Sequence, residues 1–232
     1  MSGFASHAVV DRRSVVAVGD DVPPDVAAVL GCAVLTGGGV FLNTAPVNSD
    51  SVVGVVGLGG VGMAALIVAK ALGARRIVAI DALPDKLQRA LELGADEAMT
   101  PDEALNSGVK VDVAAEAAGN TRAFETAFAI TGVGGTTVTV GLPAPGQLSQ
   151  IEPLTLTAEA RTVKGSYMGS AVPERDIPRY EQLWRQSRLP VERLISSELP
   201  LYEINEAMDR LSDGTEIRQI IRFPSVQEQP HE

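Results

Sequence analysis

The chain has 232 residues, 45% of them hydrophobic and 21% charged, enough for one large domain or two small ones and too apolar for global disorder. Lysine plus arginine number 19 against 29 acids, a net charge of −10, which argues against nucleic acid as a main partner because phosphate binding needs a cationic face. One cysteine (Cys32) and two histidines (His7 and His231) exclude an intrachain disulfide and a cysteine-rich zinc module.

The N-terminus lacks a basic stretch followed by an apolar run, so no signal peptide is expected. Residues 4–18 read as short strands around a charged Asp11-Arg12-Arg13 turn. Pro23 and Pro24 mark a break, and Asp25 is expected to cap a helix over 25–45. Gly31 and Gly37–Gly39 weaken that helix, which predicts a kink or a close backbone approach. From residue 52 strands and helices alternate: strand 52–57, helix 59–72, strand 76–81, helix 84–93, strand 111–116, helix 121–130 and strand 135–141. Gly73 and Gly94 end the first two helices, and Leu87, Ala90, Leu91 and Gly94 share one face of the second. This order predicts an α/β fold with parallel strands and right-handed crossovers. After Gly146 a strand is expected over 161–168, helices over 174–187 and 201–211, and a closing strand over 216–223. The tail from Pro224 reads as loose.

Residues 51–69 carry no charge and are long enough for a membrane span. Gly57, Gly59, Gly60 and Gly62 cut the run into a Val-rich and an Ala/Leu-rich piece, which favours a buried strand, a tight turn and a buried helix. No membrane partner and a cytoplasmic location are therefore expected.

The strongest motif is Gly57-Leu58-Gly59-Gly60-Val61-Gly62, placed directly after a buried strand and opening a helix. Gly57 permits the tight turn, Gly59 lets a pyrophosphate approach the backbone, and Gly62 lets helix and strand pack closely. The helix N-terminus offers free N–H groups and a positive dipole end to the anion. Asp81 ends the second strand and is the acid expected to accept hydrogen bonds from the adenosine ribose. The same carboxylate repels a 2′-phosphate, so NAD is expected over NADP. A methyltransferase binding S-adenosylmethionine is a competing reading of a Gly-rich turn followed by an acid; the third glycine favours the dinucleotide.

Gly31-Cys32-Ala33-Val34-Leu35-Thr36-Gly37, Leu42-Asn43-Thr44-Ala45, the glycine fingerprint, and Asp81 with Lys86 together resemble the zinc-dependent medium-chain alcohol dehydrogenases, above all the class that includes S-hydroxymethylglutathione dehydrogenase. The resemblance continues through Lys164–Gly169, Leu199-Pro200, Ile204–Ala207 and Ile217-Arg218. It implies a Rossmann doubly wound parallel sheet over 34–167, with remnants of a GroES-like catalytic domain over 1–33 and 168–232. It also implies that Cys32 is one catalytic-zinc ligand. Thr36, Leu142 and Met168 would line the nicotinamide end, Val61 would lie beneath the cofactor, Lys86 near the adenosine ribose, and Arg218 on the pyrophosphate. Family members commonly dimerise by pairing strands near the 135–168 region, so a homodimer through the Rossmann sheet is implied. The other zinc ligands, the four-cysteine lobe and the proton relay belong to a family segment that this sequence does not contain; His7 falls where the family places no ligand. The resemblance thus implies NAD-linked hydride transfer, with zinc not retained and the chain inactive alone. A stand-alone NAD-binding module, a pseudoenzyme and one half of a split dehydrogenase are the alternatives.

Overall fold

Valines fill strand β1 (Val52–Val56) because both of its faces are covered, so the run shows no polar alternation. The structure, a computed structural model, describes residues 4–223. The expectation for the tail from Pro224, and His231 with it, lie outside the described residues.

Strand β1 pairs in parallel with β2 (Arg76–Ile80) on one side and β4 (Val111–Glu116) on the other. The sheet is completed by β3 (Glu97–Met99), β5 (Thr131–Thr139) and β6 (Thr162–Gly165), in the order β3-β2-β1-β4-β5-β6 and parallel throughout. This is the doubly wound Rossmann order, with its switch point between β1 and β4. Val53, Val55, Ile77 and Ala79 feed one core, and Val52, Val56, Val78 and Ile80 feed the other, as the two-residue period of a strand requires.

The helices follow that division. Helix α1 (Pro24–Thr44), α2 (Gly60–Leu72), α3 (Pro84–Leu93) and α7 (Pro173–Arg185) supply the first core. The second is closed by α4 (Pro101–Ser107) and α5 (Thr121–Ile130). The short α6 (Pro153–Ala158) leads into β6. Beyond α7, β7 (Ile195–Pro200), α8 (Ile204–Ser212) and β8 (Arg218–Arg222) form a second βαβ unit whose two strands pair in parallel.

The uncharged 51–69 run is divided as the glycines indicated, into β1, a turn and α2. Helix α1 is the one helix among the described residues long and apolar enough to cross a membrane, and most of it is buried inside the fold. Two π-helical stretches, Leu30–Val34 and Val40–Thr44, bulge it. Close approach holds as well: a Cβ on Gly37 would strike the Val61 carbonyl, and one on Gly39 would strike Gly169. Helix α1 starts at Pro24, with Pro23 as its cap, so Asp25 lies inside the first turn and its side chain caps nothing.

Residues 4–18 do not form strands. The segment holds one 3-10 turn, Arg12–Ser14, and is mostly exposed. Alternating valines make a strand only beside another strand, and none lies alongside. On α3, Leu91 is exposed and Leu93 buried, so the apolar face sits round from the one expected. On α8 only Ala207 is buried, while Met208 and Leu211 reach solvent. The strand expected over 161–168 stops at Gly165, where a tight turn begins. Strand β3, α4, α6 and β7 fall in stretches where no element was expected.

Candidate functional site

At the carboxyl end of β1 the backbone turns at Gly57 (φ 92°), where a Cβ would lie 2.5 Å from the Ala118 nitrogen. That left-handed angle and that crowding both demand glycine. Gly62 faces back onto the same turn, and a Cβ there would collide with the Gly57 carbonyl oxygen. Gly59 differs: nothing lies within 4 Å of its missing Cβ, so the backbone before α2 faces open space. Val61 sits in the first turn of α2, with its carbonyl against Gly37 of α1.

Asp81 follows β2. One carboxylate oxygen accepts from the Leu58 N–H at 2.7 Å, and the other accepts from Leu83 N–H at 3.0 Å. It thereby ties the glycine turn to the β2 loop. Glu116 does the same at the end of β4: it is buried and accepts from the N–H groups of Ala118 and Gly119 and from the Thr139 hydroxyl. The sequence reading missed Glu116, because an acid closing a Val/Ala strand gives no signal of its own. A cleft of about 960 Å³ opens over these ends, lined by Gly57, Asp81, Thr100, Asn120 and Arg122 among others.

Arg218 opens β8 and lays its guanidinium over Gly60: a Cβ there would come within 2.6 Å of Nε. Burial pulls the guanidinium below its ordinary pKa, and the nearby Cys32 sulfur acts in the opposite sense. Among the described residues Arg218 has no carboxylate partner, so a partly desolvated cation waits at the start of α2. Cys32 is exposed on α1. Thr36 is half-buried one turn further along and directly precedes Gly37. Lys86 does not line the first cleft; it faces a second one of about 750 Å³, beside Gly214. Leu142 is exposed and holds its backbone against Gly119. Met168 stands in a left-handed turn after β6 that is packed on α1 through Gly169.

The fingerprint and Asp81 therefore meet at the carboxyl ends of β1 and β2, and Arg218, with Cys32 near it, is brought to the same place. No group of three His, Cys, Asp or Glu side chains that could hold a metal is found among the described residues. His7 is exposed, and among the described residues its ring hydrogen-bonds the Ser6 hydroxyl, at 3.2 Å. The side chains beside Cys32 do not by themselves fit a zinc ion, which needs three convergent ligands.

Residues 60–186 match the zinc-binding dehydrogenase family. The chain belongs to that family. It is 35% identical to a geraniol dehydrogenase from Castellaniella defragrans over 96% of this chain and 61% of that protein. An alcohol dehydrogenase class-3 from Myxine glutinosa is 34% identical over the same shares. The chain thus spans about three-fifths of the length of these relatives. An alcohol dehydrogenase zinc-binding domain protein from Burkholderia ambifaria superposes with a TM-score of 0.86 at 33% identity, over 90% of this chain and 58% of that one. Two more distant neighbours share the fold. One, an alcohol dehydrogenase from E. coli, is complexed with NADH (16% identity, TM-score 0.77). The other, from Sinorhizobium meliloti, is bound to NADP (23%, 0.71).

Proposed function

We propose that this chain is the cofactor-binding portion of an alcohol dehydrogenase-type oxidoreductase that passes hydride between an alcohol/aldehyde pair and NAD. The observation that carries the reading is the anion seat at the start of α2: open backbone at Gly59 and, over Gly60, an Arg218 that has no carboxylate partner among the described residues. Those residues fit a pyrophosphate, because helix N–H groups and a cation converge on one place. When bound, NAD supplies the carbon that accepts hydride. The chain's own part is to hold the two phosphates at Gly59–Gly60 with Arg218, and to present the Asp81 carboxylate to the ribose. That carboxylate keeps lone pairs beyond its two backbone bonds and would repel a 2′-phosphate. Thr36, Leu142 and Met168 would border the nicotinamide end, and Lys86 would have to reach the ribose from the second cleft, which Leu83 also lines.

Zinc belongs to the family, but the described residues around Cys32 do not complete a site, so no step is assigned to a metal here. The division into a 34–167 cofactor domain flanked by 1–33 and 168–232, pairing of two copies through the sheet, and a cytoplasmic location belong to the same reading. The test is titration of the purified chain with NADH and NADPH, read by cofactor fluorescence, together with its zinc content and alcohol oxidation rate. NADH binding in preference to NADPH, substoichiometric zinc and no turnover are expected. Binding of neither cofactor, or a preference for NADPH, overturns the cofactor reading; stoichiometric zinc with turnover overturns the incompetence of the chain alone.

A further inference from the structure

The turn after β6 sets three consecutive residues in the left-handed region. Met168 (φ 47°), Gly169 (φ 72°) and Ser170 (φ 49°) are all left-handed, and two of the three carry side chains. Such angles persist only where the surroundings over-determine them. Gly169 is pressed onto α1, where a Cβ would lie 2.8 Å from the Thr36 carbonyl oxygen and 2.9 Å from the Gly39 Cα.

The clasp that holds this turn comes from α1 and α7. Asn43 Nδ2 donates to the Gly169 carbonyl at 3.3 Å and to Asp176 Oδ2 at 2.9 Å. Asn43 Oδ1 accepts from Arg175 at 2.8 Å, so both ends of the amide are fixed. Asp176 is wholly buried and also accepts from Val172 N–H at 3.0 Å, from Arg175 Nε at 2.6 Å and Nη2 at 2.8 Å, and from Arg179 at 3.3 Å. Thr44 adds hydroxyl contacts to Ser166 at 2.7 Å and Ser170 at 3.0 Å. Burying a carboxylate is unfavourable unless it is paired and hydrogen-bonded, and here two arginines, the Val172 N–H and the Asn43 amide together meet that need and lock the amide that grips the turn.

The turn lies at the carboxyl end of β6, on the β4-β5-β6 side of the switch point. In a doubly wound sheet the adenosine half of a dinucleotide takes the β1-β2-β3 side and the nicotinamide half takes the other. We propose that Asp176, acting through Asn43 on the Gly169 carbonyl, is a positioning residue that sets the Met168–Ser170 turn against the nicotinamide half of the cofactor. This rests on the cofactor reading above. The α1 segment that receives Gly169 also seats Gly37 on Val61, so one stretch of helix registers the turn against the fingerprint.

NADH and ADP-ribose separate this from a structural role, because ADP-ribose lacks the nicotinamide. Asn43→Ala and Asp176→Asn should each weaken NADH roughly tenfold, the loss of one charge-assisted contact, while leaving ADP-ribose within about twofold. Equal loss for both ligands, or no loss for NADH in a folded variant, overturns the proposal. If Asn43→Ala does not fold, Thr44→Val, which releases the Ser166 and Ser170 hydroxyls, carries the same test. Wild-type chain that binds ADP-ribose as tightly as NADH also overturns it, yet leaves the cofactor reading standing. Wild-type chain that binds neither removes the cofactor reading itself.

Discussion

Strand β1 with the glycine turn that follows it, and the segment before α1, both carry several valines, and they are held in opposite ways. Around Gly57–Gly62 three close approaches are backbone against backbone: Gly57 on Ala118, Gly62 on Gly57, Gly37 on Val61. Two carboxylates, Asp81 and Glu116, lock the loops that meet there. In residues 4–18 Val9, Val10 and Val15 face outward, with Val9 95% exposed, only Val16 and Val18 rest partly buried on the first core, and the Asp11–Arg13 pair closes only a local turn. Valine content is thus no guide to burial. A strand becomes core where neighbours bring hydrogen bonds and packing to both of its faces, and the same residues stay on the surface where nothing does.

The backbone packing of the turn is most vulnerable at Gly62. Gly62→Ala forces a methyl into the Gly57 carbonyl, and because the obstacle is backbone, the loss should reach the upper end of overpacking, about 3 kcal/mol. Urea unfolding measures it, and NADH affinity should fall with it. A loss under about 0.5 kcal/mol, the range of ordinary surface changes, would mean the turn yields and is not the fixed frame described.

Asp81→Ala comes next. It removes an acceptor from Leu58 and Leu83 N–H and the group assigned to the ribose, so NADH should weaken by about tenfold or more. NADPH should weaken less, and the ratio of the two affinities measures the carboxylate's share of specificity. An unchanged ratio would show that Asp81 serves only to tie the loops.

Most of the β1–α2–β2 unit was legible, because a Val run, a glycine string and a glycine-capped helix each announce themselves locally. Arg218 was not legible from its own segment: Glu-Ile-Arg-Gln-Ile-Ile reads as a plain strand, and only the family pattern placed it over the fingerprint. Helix α4 had an unused signal, since Thr100 and Glu103 form a reciprocal capping box with Pro101 at the first turn. Strand β7 gave little warning, because Ser196, Ser197 and Glu198 are polar and the strand pairs only with β8. The clasp through Asn43 and Asp176 joins residues more than 130 positions apart, and no local rule links an amide in one helix to an acid in another.

Asp176 gives a smaller, pH-dependent test. The hydrogen bond from Arg175 holds its carboxyl below the ordinary aspartate range, with Val172 N–H and Asn43 adding to the effect and burial opposing it. The folded value therefore lies below the unfolded one, about 3.9. The stabilisation is fully present above the unfolded value and is lost as pH falls through the folded value. Urea midpoints measured from neutral pH downward should drop in that acid window, and Asp176→Asn should flatten the drop. An unchanged acid limb in the variant would place the acid sensitivity elsewhere.

The smallest effect should come from the exposed segment. Val9→Ser changes a side chain that meets almost only water, so the folded chain should move by no more than about 0.5 kcal/mol, and solubility should rise. This is the counterpart of Gly62→Ala: one methyl added at the turn should unfold more of the population than a whole apolar side chain made polar in the segment. If Val9→Ser instead lowers the urea midpoint as a core change would, the segment is packed in solution against a surface that the isolated fold does not provide. Dilution then decides what that surface is. A second copy of the chain would make the midpoint depend on protein concentration, and a contact within one chain would not.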